Sequence, residues 1–153
     1  MSEKRYYIAY GSNLSVEQMA HRCPHATIAG KAVLDGWKLA FKIHATIEPC
    51  EGSKVPVLIW EIDGTDEKRL DAYEGAPVYY FKKDLDIRLT DLNGRHPRTV
   101  TAMVYIMADG HQIHMPMKGY YDVIAEGYER FGFDQKILRE ALLEAKEAEH
   151  VFP

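Results

Sequence analysis

Apolar residues alternate with polar ones, or run together, in several short segments of this chain, and both patterns are typical of β-strands. Residues 6–10 are aromatic, β-branched or small, which indicates a strand that packs on both faces. The other predicted strands are residues 26–34 and 37–43, joined as a hairpin at Asp35-Gly36, and residues 55–62, 79–89 and 99–107. Loops are predicted at residues 45–54, around Asn93-Gly94 and at residues 109–115.

Apolar residues at helical spacing and capping residues together predict four helices. The first covers residues 15–21 and begins with the capping-box pair Ser15 and Gln18. The others run from a Thr65 cap to about Tyr73, over residues 120–131, and from an Asp134 cap to about residue 149. Because the strands and helices do not form regular βαβ repeats, the pattern predicts an α+β fold around a mixed, mainly antiparallel sheet. With no repeat or linker, residues 1–153 are expected to form a single domain.

The composition of the chain argues against two classes of binding partner, nucleic acids and membranes. The 153 residues are 46% hydrophobic and 27% charged, as in ordinary globular proteins. A formal net charge of −4 argues against a nucleic-acid partner, which needs a basic surface. No apolar run approaches the roughly 20 residues of a membrane span, and the first residues lack the apolar region of a secretory signal. We therefore expect a cytoplasmic protein with no membrane partner, whose Cys23 and Cys50 are free thiols.

We call Tyr10, Gly11, Ser12, Asn13 and Leu14 the 10–14 loop, which joins the first predicted strand to the first predicted helix. Glycine tolerates left-handed backbone angles, and Ser and Asn side chains bond to nearby backbone groups, so a flexible polar turn is expected. Unpaired N–H groups and the dipole at a helix N-terminus favour anions. The loop is therefore a candidate cradle for a carboxylate or a developing oxyanion, although an ordinary strand-to-helix loop fits the same residues.

Glu74 is the acid whose surroundings suggest chemistry. It ends a predicted helix whose last turn is apolar and aromatic, and Tyr79 and Tyr80 follow the next turn. A carboxylate among aromatic residues is partly desolvated, which raises its pKa and suits it to general-base catalysis near neutral pH. A solvated glutamate at a helix end is the alternative interpretation.

The spacing of the remaining reactive residues supports no other site. His111 and His114 stand three residues apart in a predicted loop without an acid or thiol cluster, so no metal site is predicted. No glycine-rich nucleotide-binding motif occurs. A small hydrolase that uses Cys23 as its nucleophile is a further alternative, since His25 stands two residues away, but proximity in sequence is not the geometry of a dyad.

Four segments, taken in their order along the chain, resemble the γ-glutamylcyclotransferase-like family, which includes the AIG2-like proteins. The segments are the 10–14 loop; Leu70-Asp71-Ala72-Tyr73-Glu74-Gly75-Ala76-Pro77 with Tyr80; Val104-Tyr105-Ile106-Met107; and Pro116 with Tyr120, Ile124 and Gly127. The loop alone is a weak signal, whereas the ordered set is fairly specific and spans about residues 6–133.

The resemblance implies a mixed sheet curled into a small barrel, surrounding helices and a cavity. It implies that Glu74 is the catalytic acid and base, and that the whole 10–14 loop with Tyr80, Tyr105 and Tyr120 binds a small γ-glutamyl substrate. The α-amine of the γ-glutamyl group attacks its own γ-carbonyl in this reaction, which releases 5-oxoproline and a free amine or amino acid. No cofactor and no metal are implied. A small-molecule binding or interaction module on the same fold, without turnover, is the alternative. The last helix has one apolar face, which fits a monomer or a homodimer.

Overall fold

The computed structural model describes residues 3–149, which form five strands and four α-helices. The strands are β1 (Arg5–Ala9), β2 (Thr27–Lys42), β3 (His44–Ile62), β4 (Tyr80–Leu89) and β5 (Arg98–Met107). The helices are α1 (Val16–Arg22), α2 (Gly64–Glu74), α3 (Lys118–Phe131) and α4 (Gln135–Glu149).

The five strands form one sheet in the order β2-β3-β1-β5-β4. Only the β1–β5 pair is parallel, so the predicted α+β fold with a mixed, mainly antiparallel sheet is confirmed. The sheet is curled but does not close into the barrel that was expected. Its two edges meet at a single bridge, where Lys31 and Thr90 exchange two backbone hydrogen bonds of 3.0 Å. Gly30 permits this approach, because a Cβ atom at this residue would lie 1.9 Å from the carbonyl oxygen of Thr90.

The predicted hairpin at Asp35-Gly36 is wrong, and so is the predicted loop at residues 45–54. β2 continues through Gly36 and turns at Ile43, whose φ is 70°, into β3. Residues 37–42 pair with residues 44–49, and residues 50–53 are accommodated as a bulge opposite Gly36. Ala45, Thr46 and Ile47 are buried. Pairing with β2 and burial of these side chains outweigh the local turn signals.

The helix ends agree with the prediction to within two residues, and the differences are largest at the starts of α2 and of α3, which begins at Lys118 rather than Tyr120. Asp63, rather than Thr65, caps α2 in a capping box with Asp66. Gly75 adopts the left-handed conformation that ends this helix, with φ of 65°. The side chain of Asp134 accepts a 3.0 Å hydrogen bond from the backbone of Lys136 in the first turn of α4.

The helices cover the curled sheet. The apolar face of α4, with Leu138, Ala141 and Ala145 buried, packs on β2 of the same chain. α3 packs against the 10–14 loop at Gly127, where an added Cβ would lie 2.6 Å from the Cβ of Leu14. No helix among residues 3–149 combines the length and the hydrophobicity needed to cross a bilayer.

Candidate active site

The 10–14 loop is a buried, hydrogen-bonded turn rather than a flexible one. After β1, Ser12–Leu14 forms a single turn of 3₁₀ helix, and Leu14 N–H donates to the Gly11 carbonyl at 3.0 Å. The φ of Gly11 is −121°, so the expected left-handed conformation is not used. A Cβ at Gly11 would lie 3.4 Å from the Cβ of Ala45 and 3.6 Å from the hydroxyl of Tyr120, which are ordinary contact distances, so Gly11 lies directly beside Tyr120.

Asn13 fixes the loop to the rest of the protein. Its Nδ2 donates to the hydroxyl of Tyr7 at 2.8 Å, and its Oδ1 accepts a short hydrogen bond of 2.5 Å from Arg22. Its backbone carbonyl accepts from Nε1 of Trp60 at 3.0 Å. These contacts leave the side chain of Asn13 engaged with protein partners.

The backbone N–H groups of the loop remain available. Within the described residues, the N–H groups of Gly11, Ser12 and Asn13 donate to no protein acceptor. Three consecutive free donors at the start of a helical turn form a site suited to an anionic oxygen.

One cavity of about 190 Å³ lies between this loop and the end of α2. Its volume suits a small molecule rather than a polymer. It is lined by Tyr7, Ile8, Tyr10, Gly11, Ser12, Asn13, His44, Ala45, Tyr73, Glu74, Tyr79, Tyr80, Tyr105 and Tyr120. The predicted acid, four residues of the 10–14 loop and all three predicted tyrosines outside that loop therefore meet in one place. Leu14 does not line this cavity; it is fully buried against Gly127.

Glu74 is half-buried at the last residue of α2. Among residues 3–149 its carboxylate has no hydrogen-bond or ion-pair partner. Burial raises the pKa of this carboxyl to about 7, and the positive charge of Arg22 opposes the rise. Because the carboxylate lacks a stabilising partner and its pKa lies near neutral pH, Glu74 can exchange protons with a bound molecule.

Three of the tyrosines that line the cavity donate their hydroxyl proton to another group of the protein. Tyr10 donates to the carbonyl of Tyr105 and Tyr80 to the carbonyl of Ala45, both at 2.7 Å. Tyr105 donates to Oδ1 of Asp71 at 2.6 Å, and not to Glu74. These three hydroxyl groups stabilise the walls of the cavity.

The hydroxyl groups of Tyr120 and Tyr7 accept hydrogen bonds from the protein. The Tyr120 hydroxyl accepts from Ala45 N–H at 2.9 Å, and the Tyr7 hydroxyl accepts from Asn13. Within the described part of the chain neither hydroxyl donates a hydrogen bond. Burial raises the pKa of both phenols, which therefore stay protonated and act as donors.

Sequence reasoning missed Tyr7, Arg22 and His44. In β1, Tyr6 contacts Arg98 at the surface whereas Tyr7 is buried, and the alternation of the strand is a signal that separates them. His44 stands at the cavity because β2 and β3 turn at Ile43. No signal in the sequence marks Arg22, because its partners, Ser12 and Asn13 in the 10–14 loop and Tyr73 in α2, come from two segments that are distant from each other in sequence.

The alternative chemical centres lie elsewhere. Cys23 is buried, its Sγ contacts the carbonyl oxygen of Asp66 at 3.7 Å, and burial raises the pKa of its thiol to about 12. The side chains of His25, Asp63 and Asp66 cluster at the start of α2. Their contacts are those of the helix cap, in which Asp63 and Asp66 bond to each other's backbone.

The sequence matches, over residues 7–128, the model of a protein family described as gamma-glutamyl cyclotransferase, AIG2-like. It is 28% identical over 144 residues to a gamma-glutamylcyclotransferase of Mus musculus, in an alignment that covers 85% of this chain and 73% of the mouse protein.

Two solved structures share the fold. A gamma-glutamyl cyclotransferase superposes with a TM-score of 0.77 at 24% identity, covering 91% of this chain and 86% of that one. A yeast gamma-glutamyl cyclotransferase specific to glutathione gives a TM-score of 0.63 at 12% identity, covering 96% and 97% of the two chains. At these identities the likeness concerns the fold alone.

Proposed function

The chain belongs to the gamma-glutamyl cyclotransferase, AIG2-like family, and we propose that it is an enzyme that converts a small γ-glutamyl compound into 5-oxoproline and a free amine or amino acid. Glu74 is the general acid and base of this reaction. The observation that carries the proposal is that one cavity holds, on opposite walls, a half-buried carboxylate and three N–H groups of the 10–14 loop, none of which has a partner among residues 3–149.

The reaction begins with a proton transfer to Glu74. The α-amine of the substrate arrives as an ammonium group, and it becomes nucleophilic only after losing a proton. A carboxylate with a pKa of about 7 takes this proton near neutral pH and holds it weakly enough to return it.

Bond exchange then occurs within the substrate. The α-nitrogen forms a bond to the γ-carbonyl carbon, which closes a five-membered ring, and the bond from that carbon to the leaving nitrogen breaks. Glu74 gives its proton to the leaving nitrogen as the intermediate collapses. The nitrogen of the new ring releases its second excess proton to water, and the free amine takes up one proton from water, so no net proton is released or consumed.

The 10–14 loop supports this exchange through its backbone. The N–H groups of Gly11, Ser12 and Asn13 can hold the α-carboxylate and so fold the glutamyl chain for attack. They can alternatively stabilise the oxyanion of the tetrahedral intermediate, at about 3 kcal/mol per donor. Tyr120, whose hydroxyl lies beside Gly11 and whose proton is free, is the side-chain donor best suited to assist.

The test is release of 5-oxoproline, measured by mass spectrometry, from a panel of γ-glutamyl amines, amino acids and peptides. We expect Glu74→Gln to stay folded and to lose about 10²- to 10⁴-fold in kcat. Glu129→Gln, an exposed change on α3, is the matched control and should keep full activity. Normal turnover by Glu74→Gln would overturn the mechanism.

A wild-type protein that binds 5-oxoproline in calorimetry but releases none from any compound on the panel would instead be a binding module on this fold.

A further inference from the structure

Arg22, the last residue of α1, joins two parts of the candidate site that are distant from each other in sequence, the 10–14 loop and the end of α2. Its Nη1 donates to Oδ1 of Asn13 and, at 3.4 Å, to Oγ of Ser12. Its Nη2 donates to the hydroxyl of Tyr73 at 2.7 Å, and the guanidinium carbon lies 3.8 Å from the centre of the Tyr73 ring.

These contacts use the planar fork of the guanidinium group. One nitrogen faces the 10–14 loop while the other reaches Tyr73, the residue that precedes Glu74 in α2. A lysine ammonium is a single point charge and does not reproduce a fork with fixed directions. Arg22 therefore sets the separation between the loop and the end of α2, which are two walls of the same cavity.

The charge of Arg22 is not neutralised locally. Among residues 3–149 its guanidinium forms no ion pair with a carboxylate, and its contacts are an amide oxygen and two hydroxyl groups. Its positive potential therefore acts on the cavity, where it opposes the rise in pKa that burial causes at both Glu74 and Tyr7.

We propose that Arg22 is the positioning residue of this site: its fork holds the 10–14 loop at the correct distance from the end of α2, and its charge, held against Tyr73 beside Glu74, favours an anionic group in the cavity. This inference rests on the function proposed above. Arg22 does not line the cavity, so it acts through the loop and Tyr73 rather than by contact with the reacting atoms.

The electrostatic part of the proposal has a definite sign. Arg22 lowers the pKa of Glu74 against the larger effect of burial. The other titratable groups that line the cavity with Glu74 are Tyr7 from β1, Tyr10 from the loop, His44 from β3, Tyr73 from α2, Tyr79 and Tyr80 at the start of β4, Tyr105 from β5 and Tyr120 from α3. Burial raises the pKa of Tyr7, Tyr10, Tyr79, Tyr80, Tyr105 and Tyr120 and lowers that of His44, so none of these seven groups carries charge near pH 7. Removing the charge of Arg22 therefore moves the titration of Glu74 to higher pH.

Two substitutions separate the fork from the charge. Arg22→Met removes both, and we expect KM to rise about tenfold or more and the acidic limb of the kcat/KM profile to move to higher pH. Arg22→Lys keeps the charge but not the fork, so the acidic limb should stay near its wild-type position while KM still rises. Arg139→Met, an exposed change on α4, is the control and should alter neither.

The pH profile separates a positioning role of Arg22 from a purely structural one. Loss of folded protein lowers activity at every pH and does not move the acidic limb of the kcat/KM profile. An unchanged KM and limb in Arg22→Met would overturn the proposal, and so would a limb that moves equally in Arg22→Lys and Arg22→Met. If Arg22→Met does not fold, Arg22→Lys alone decides: a raised KM with an unmoved limb supports the proposal, and an unchanged KM overturns it.

A measurement without turnover keeps this inference distinct from the proposed function. The Glu74 carboxyl is followed by ¹³C NMR as pH is varied in the wild type and in both Arg22 variants. If the wild type releases no 5-oxoproline, the proposed function fails, yet a titration midpoint that rises in Arg22→Met and not in Arg22→Lys still supports the electrostatic role of Arg22. Identical midpoints in the wild type and Arg22→Met overturn that role, whether or not the enzyme is active.

Discussion

The hydroxyl of Tyr105 donates a 2.6 Å hydrogen bond to Oδ1 of Asp71, three residues before Glu74 in α2. Asp71 also pairs with Lys82 of β4 at 3.1 Å. The helix that carries the catalytic candidate is thus fastened to two neighbouring strands of the sheet. Tyr105 lines the cavity, but its hydroxyl donates its proton to Asp71 and so stabilises the fold.

This hydrogen bond predicts that Tyr105→Phe lowers mainly the stability of the protein, whereas Tyr120→Phe weakens mainly the binding of substrate. Tyr105→Phe removes a hydrogen bond to a charged group, so we expect a loss of about 1–2 kcal/mol in unfolding free energy and less than a tenfold change in kcat/KM. Tyr120→Phe removes the free donor beside Gly11, so its larger effect should be on KM. Denaturant unfolding and steady-state kinetics measure both, and a hundredfold loss of kcat in Tyr105→Phe would mean that this phenol acts on the substrate directly.

Ionisation of Glu74 should cost stability. The pKa of this carboxyl is about 7 in the folded protein against an ordinary value of 4.5, so the folded state binds the extra proton between these values. Stability is therefore lost as pH rises from about 4.5 to 7, and the wild type carries the whole penalty above pH 7.

Glu74→Gln resembles the protonated residue and avoids this penalty. We expect its free energy of unfolding to exceed that of the wild type by about 1–3 kcal/mol at pH 8 and to be nearly equal to it at pH 4.5. Urea unfolding at several pH values measures the difference, with Glu129→Gln as the control that should show no such trend. A constant difference across pH would contradict the raised pKa.

Gly127 and Gly119 provide a matched pair within α3. Gly127→Ala places a Cβ 2.6 Å from that of Leu14, so overpacking should destabilise the protein by about 1–3 kcal/mol and displace the 10–14 loop. A Cβ at Gly119 meets no atom within 4 Å, so Gly119→Ala should leave stability unchanged or raise it by up to about 1 kcal/mol. Thermal unfolding and 5-oxoproline release test both variants, and equal effects would show that close packing at Leu14 is unimportant.

The two thiols should react at different rates. Cys50 is partly exposed on the bulge of β3, whereas Cys23 is buried and its thiol has a pKa of about 12. Iodoacetamide at pH 8 should therefore modify Cys50 first, as mass spectrometry of peptides would show, and activity should survive. Inactivation that follows modification of Cys23 would restore the hydrolase hypothesis.

The local signals in the sequence were sufficient where neighbouring residues decide the structure. Gly75 ends α2 in the left-handed conformation, as predicted. The Ser15 side chain accepts from Gln18 N–H at 3.2 Å, which is one of the two hydrogen bonds of the predicted capping box; the Gln18 side-chain oxygen has no partner among the described residues. The position of α2 differed because Asp63 and Asp66 satisfy each other's backbone, a stronger cap than Thr65 alone.

Long-range pairing explains what the sequence did not reveal. Residues 45–49 contain turn-like signals but become strand because residues 37–42 lie opposite. The cavity itself depends on the parallel alignment of Tyr6 and Tyr7 with Ala102 and Met103, across nearly 100 residues. No pattern within either segment specifies that partner.

The central place of β1 in the sheet has a consequence for how the protein is made. β1 leaves the ribosome before the other four strands, so both of its neighbours, β3 and β5, are synthesised later. The packing of the 10–14 loop is also incomplete until α3 has been synthesised, because Gly127 of α3 covers Leu14. The contacts of β1 are thus completed only after most of the chain has been synthesised, and a nascent chain that stops before α3 lacks Tyr120 and has no finished cavity.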